Sequence, residues 1–250
     1  MTLHPAFPAS ADRPAAALTE ERLLALGRQI ETPAYVYDLT VLRRRFALLA
    51  GALPFMSVRY AVKANPHPAL LGMLVAEGAL IDASSIGEVR RALAAGAAAG
   101  AISFTGPGKR RAEIAEALAS RIGHLVLENM TQARHASEEA QAQGLTQKVL
   151  VRVSPATSPK GFGARMTGVA TQFGIDEEEA PEALAAIAAL PGLDLVGLHF
   201  YAGSNALEPA AIGANMANCA ALAERLLPCL GKPPEKLIFG SGFGVPYHEG

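Results

Sequence analysis

Tyr60-Ala61-Val62-Lys63-Ala64-Asn65-Pro66 decides how the rest of the chain is read. An apolar run that begins near Ser57 ends on a lysine, and Asn-Pro follows at once, which stops a strand and starts a turn. Working outward, short apolar runs recur at 34–37, 57–62, 80–83, 101–105, 124–127, 148–153, 195–200 and 236–239. Segments rich in Ala, Leu, Glu and Arg with helical spacing lie between them, at 87–95, 110–120, 131–143, 177–190 and 208–227, after a shorter amphipathic stretch at 20–30. The strand candidates alternate little, as expected where both faces of a parallel sheet are covered. Strict strand-then-helix order with right-handed crossovers leaves a doubly wound sheet or a (β/α)8 barrel. In either, reactive groups gather at the C-terminal ends of the strands, where Lys63 stands. One connection breaks the rhythm: 154–173 carries three glycines and two prolines, and loops of that length are commonly functional.

The composition narrows the classes. The chain has 250 residues, half of them apolar and only 18% charged, so it can build a large core. Its 50 alanines suit many packed helices, and Trp is absent. Lys and Arg total 22 against 23 Asp and Glu, a formal charge of −1, so no nucleic-acid footprint shows in the bulk charge. The longest near-apolar run, 92–102, is about half of the roughly 20 residues that a membrane-spanning helix needs. The N-terminus has no basic cluster before an apolar segment, so the expectation is a cytoplasmic protein. Cys219 and Cys229 show neither a zinc nor a disulfide pattern, and no metal site is expected. A dinucleotide fold would place Gly-x-Gly-x-x-Gly after its first strand; here Asp38-Leu39-Thr40 and Lys63-Ala64-Asn65 stand there. The phosphate-loop pattern Gly-x-x-x-x-Gly-Lys-Ser/Thr is missing as well.

Tyr60–Pro66 resembles the Y-A-V-K-A-N signature of the fold-type III pyridoxal-phosphate decarboxylases, the alanine-racemase-like barrel family of the diaminopimelate, ornithine and arginine decarboxylases. Further segments match in order. Thr32-Pro33-Ala34-Tyr35-Val36-Tyr37-Asp38 resembles the family's opening strand, and Asp82-Ala83-Ser84-Ser85-Ile86-Gly87-Glu88 its D-x-x-S-x-G-E segment. Thr105-Gly106-Pro107-Gly108-Lys109 resembles the G-x-G-K turn, and Arg152 stands where the family keeps a phosphate-side arginine. Gln172-Phe173-Gly174-Ile175 resembles K-F-G-I. Gly197–Ser204 resembles G-x-H-x-H-x-G-S, and Gly240-Ser241-Gly242-Phe243-Gly244 resembles G-G-G-F-G. The likeness covers about residues 32–247.

The resemblance implies an α/β fold, an alanine-racemase-like (β/α)8 TIM barrel. It also implies an arm and short helix at 1–31 and a pyridoxal-phosphate-binding barrel domain at 32–250. The cofactor would be pyridoxal 5'-phosphate, with Lys63 as the catalytic lysine that holds it. Asp82, Arg152, His199, Tyr201, Gly203, Ser204, Gly240, Ser241 and Gly242 complete the implied cofactor-binding set. His199 and Tyr201 share one strand parity and should both face inward, and Tyr201 takes the place of the family's ring-stacking histidine. The F-Y-A-G-S form is similar to decarboxylases of exosortase systems or of carrier-protein-linked amino acids. Decarboxylation of a free or carrier-linked amino acid, within a homodimer, is therefore the implied activity. Counting from 57–62 gives seven barrel strands where eight close a barrel. The expectation is thus an incomplete barrel without the family's C-terminal β domain, open between 236–239 and 57–62, with apolar side chains exposed along the gap. Such a chain is expected to turn over at least about a hundredfold slower than a complete enzyme. A non-catalytic pyridoxal-phosphate carrier and an amino-acid racemase are the alternatives.

Overall fold

The structure is a computed structural model and describes residues 18–157, 160–168, 171–240 and 242–245. After helix α1 (Glu20–Gly27), the chain alternates strands and helices. In order these are α2 (Leu39–Ala52), β1 (Arg59–Ala61), α3 (Pro68–Ala76), β2 (Leu80–Ala83), α4 (Ile86–Ala94), β3 (Ile102–Phe104), α5 (Arg111–Ala119), β4 (His124–Leu127), α6 (Met130–Ala142) and β5 (Gln147–Ser154). There follow β6 (Phe162–Arg165), β7 (Ile175–Asp176), α7 (Ala180–Ala188), β8 (Leu193–Phe200), β9 (Gly203–Ala206), α8 (Pro209–Leu226) and β10 (Lys236–Phe239). Local chemistry sets the helix starts. Ser85 caps α4 by accepting from the Glu88 amide, while Glu88 reaches back to the Ser84 amide, and Asn129 caps α6 through the Gln132 amide.

Seven strands pair in parallel in the order β1-β2-β3-β4-β5-β8-β10, and the two-residue β7 adds to the end of β5. No pairing joins β10 to β1 among the described residues, so the barrel is open there, as the strand count expects. The side chains along both edges are half-buried rather than exposed, which corrects the expectation of a bare apolar seam. A second correction concerns 34–37, which forms no strand, and Tyr35 within it is 92% exposed.

Strand parity divides the core in two. Ile81, Ala83, Ile102, Phe104, Leu125, Leu127, Val149, Val151 and Val153 point outward against the helices and are buried. The opposite residues point into the barrel, where Val126, Leu150 and Val196 form a small separate cluster with Ile238. The register slips by one between Val149–Leu195 and Leu150–Gly197, so Val196 is an extra residue on β8. That bulge returns Leu198 and Phe200 to the outer layer and turns His199 inward beside Arg152. Among the described residues no helix is long and apolar enough to cross a membrane.

Candidate functional site

The site is built on the inward parity of the strands at their C-terminal ends. Lys63 continues the parity of Arg59 and Ala61, but the chain tightens into a 3-10 turn at Val62–Ala64, so the lysine stands on a turn just beyond β1. Its side chain is exposed, with Nζ 4.6 Å from the centroid of the Tyr201 ring. An ammonium over a phenol face is held by the ring quadrupole. Tyr201 leaves β8 immediately after Phe200, and its hydroxyl is hydrogen-bonded to the hydroxyl of Ser204 at the start of β9. Lys63, Tyr201 and Ser204 therefore form one continuous contact on one rim.

Gly240 lies flush against that ring. A Cβ there would overlap the Tyr201 ring carbons, so only glycine leaves the shelf in place. Gly203 and Gly242 meet in the same way: a Cβ on Gly242 would stand 2.8 Å from Phe162 Cε1 and closer still to the Gly203 carbonyl. β9 pairs antiparallel with β6, and the Ala206 amide donates to the Gly242 carbonyl, so this two-stranded sheet lies between the glycines at 203 and 242. Close-approaching backbone of this kind is what a phosphate-binding turn requires. Ser241 lies outside the described residues.

Asp82 pairs in register with Ala61 and Ser103. Its Oδ1 accepts from Thr105 Oγ1 at 2.6 Å and from Ser103 Oγ at 3.0 Å, and Ser103 Oγ in turn accepts from Arg59 Nη1 at 3.3 Å. Loss of hydration pushes the Asp82 carboxyl above its ordinary range, opposed by the two hydroxyls and by the charges of Arg59 and Lys63. Buried Arg152 donates to the Tyr201 carbonyl at 3.2 Å, and its guanidinium lies 5.7 Å from the Tyr201 ring centroid and 4.9 Å from that of Phe173. His199, paired with Arg152 in register, is buried with no hydrogen-bond partner on Nδ1. Burial first, and then Arg152, Lys109, Arg59 and Lys63, hold its imidazole well below its usual range, so it is neutral.

The structure thus brings Lys63, Asp82, Arg152, His199, Tyr201, Gly203, Ser204, Gly240 and Gly242 to one end of the strands. Three features had no site role in the sequence reading. Glu128 is buried at the end of β4 and pairs with Arg152 at 3.1 Å. Lys109 is 7% exposed, and burial lowers its amine to about 7. The antiparallel β6–β9 pair carries Gly203 and Ser204. Glu128 carried the same signal as Lys63, an ionisable residue directly after an apolar strand.

These residues suit a cofactor with an aldehyde, a flat ring and a phosphate. Lys63 offers the amine, Tyr201 a ring face, and the Gly203–Ser204 and Gly240–Gly242 turns offer backbone and hydroxyl donors. Comparison with known proteins gives the same direction. Residues 39–250 match the family model described as pyridoxal-dependent decarboxylase, pyridoxal binding domain. The chain is 30% identical over 235 residues to the L-glutamyl-[BtrI acyl-carrier protein] decarboxylase of Niallia circulans, covering 93% of this chain and 55% of that protein. It is 34% identical to the diaminopimelate decarboxylase of Zymomonas mobilis, over 90% of this chain and 54% of that one. Among solved structures, diaminopimelate decarboxylase from Helicobacter pylori complexed with L-lysine superposes with a TM-score of 0.76 at 30% identity, covering 86% of this chain and 55% of that one. An SrLDC variant solved in complex with PLP gives 0.80 at 26% identity, covering 92% and 57%. The chain spans little more than half the length of each of these relatives.

Proposed function

The chain belongs to the pyridoxal-dependent decarboxylases through their pyridoxal-binding domain, and on that premise we propose that it is the cofactor-holding barrel of an amino-acid decarboxylase. The observation that carries this reading is the contact chain Lys63–Tyr201–Ser204, backed by Gly240, at the mouth of the strands. The barrel domain would begin near residue 32, after the arm and helix of 1–31. A homodimer and a cytoplasmic location belong to the same proposal.

Bound pyridoxal phosphate supplies the electron sink that lets the bond between an amino acid's Cα and its carboxylate break with loss of CO2. The chain's own residues hold and orient. Lys63 would hold the cofactor's aldehyde through its amine, the nucleophile that this chemistry needs at the mouth of the strands. Tyr201 would offer its face to the cofactor ring, and the glycines 203, 240 and 242 with Ser204 would serve its phosphate. Asp82, held by the Thr105 and Ser103 hydroxyls, lines the same wall of the strands as Lys63 and would help orient the cofactor there. Neutral His199 would add no charge to the wall it shares with Arg152. Relatives named for diaminopimelate and for a carrier-linked glutamyl group point to a substrate with an amino-acid head and a polar or tethered tail.

Borohydride reduction of the chain with pyridoxal phosphate should leave a stable pyridoxyl label on Lys63, found by mass spectrometry, and Lys63→Ala should abolish it. Label confined to another lysine, or none on folded protein, sinks the assignment. CO2 release from diaminopimelate, lysine and a carrier-linked glutamate then separates the substrate classes.

A further inference from the structure

Three of the segments picked out in the sequence meet on a residue that none of them contains, and a fourth is joined through Arg152. Glu128 Oε1 accepts from the Gly106 amide at 2.6 Å. Its Oε2 accepts from Arg152 Nη1 at 3.1 Å and from the Gly174 amide at 3.2 Å. Arg152 passes the contact on to the Tyr201 carbonyl. The carboxylate is 2% exposed as a residue, so these donors replace its water. Both amides come from glycines at positive φ, +117° at Gly106 and +77° at Gly174, a backbone that aims the N–H groups inward and that other residues rarely adopt.

We propose that Glu128 is a positioning residue for the cofactor-facing wall: it gathers the Gly106 and Gly174 amides and the Arg152 guanidinium, and through Arg152 fixes the Tyr201 shelf. The proposal rests on the pyridoxal reading above. A core ion pair would need only to satisfy itself. Here the second arm of Arg152 is spent on the Tyr201 backbone, and its flat face lies against the rings of Phe173 and Tyr201. A shift of Glu128 therefore moves the ring. Lys109 completes the clamp. Its Nζ donates to the Gly106 carbonyl at 2.5 Å, the Gln132 amide donates to the same oxygen at 3.2 Å, and Gln132 Oε1 accepts from the Glu128 amide. Gly106 is thus held at its amide by Glu128 and at its carbonyl by Lys109.

The test titrates pyridoxal phosphate into the chain and into Glu128→Gln, Glu128→Asp and Lys109→Met. It records the dissociation constant, the induced circular dichroism of the bound chromophore, the urea midpoint and borohydride labelling. Folded Glu128→Gln should bind about tenfold more weakly, the usual loss of one charge-assisted hydrogen bond. Its induced band should change shape, while Lys63 remains the labelled residue. Glu128→Asp should recover part of both, and Lys109→Met should fall between. A lower urea midpoint with an unchanged dissociation constant and band assigns Glu128 to stability alone and overturns the proposal. So does failure of both Glu128→Gln and Lys109→Met to fold in the cold. Wild-type chain that takes no label on Lys63 removes the pyridoxal reading itself, a different result from labelled wild type with unaffected variants.

Discussion

The two faces of the same strands follow opposite rules. On β5 the outward residues are Val149, Val151 and Val153, all packed against helices, while the inward ones run Leu150, Arg152 and Ser154. On β4 the outward pair is Leu125 and Leu127, and the inward series is His124, Val126 and then Glu128 beyond the strand. The outer layer is apolar and continuous, so its contribution scales with area removed from water. The lumen carries Arg59, Asp82, Ser103, Thr105, His124, Glu128, Arg152 and His199, most of them paired with each other or with backbone. The difference teaches that stability resides in one layer and chemistry in the other, although each strand serves both.

The largest expected effect tests the outer layer. Leu125→Ala removes a fully buried side chain and should cost about 2–5 kcal/mol in urea unfolding. The folded remainder should keep its pyridoxyl label on Lys63; loss of labelling in step with stability would break the division of labour. Next comes the lumen. Thr105→Val keeps the shape but withdraws the 2.6 Å donor from Asp82, and should cost about 1.5–3 kcal/mol. It should also alter cofactor affinity, which Leu125→Ala should not; equal affinities would refute the contrast.

The smallest effect is in pH. His124 is buried with its Nδ1 unpartnered, and burial, with Arg59, Lys236 and Lys148, lowers its imidazole to about 4, opposed by Glu235. The unfolded chain titrates near 6.5, so between pH 6.5 and 4 it binds more protons than the folded chain, and stability falls as the pH falls. The loss should be about 1–2 kcal/mol once solvent screening is allowed for, and His124→Gln should flatten it. Urea midpoints at the two ends of that window give the answer. An equal slope in the variant assigns it to the carboxylates instead.

Much was determined by sequence alone. The strand–helix alternation, the seven strands and the residues ending them are local properties, written in apolar runs and the turn residues that stop them. Parity along β8 correctly turned His199 and Tyr201 inward, because the extra residue at Val196 lies upstream of both. The motif segments are contiguous, so their likeness to the decarboxylases was legible without coordinates. The tertiary structure decided what depends on distant partners. Residues 34–37 have strand composition but form no strand, since a strand exists only where another supplies its hydrogen bonds. Lys63 lies on a turn rather than in the strand because the chain tightens at Val62. Glu128 follows an apolar strand as Lys63 does, but only folding brings Gly106, Arg152 and Gly174 from 22, 24 and 46 positions away to its two oxygens. A carboxylate's role is set by the donors that replace its water, and no local pattern says which donors those will be.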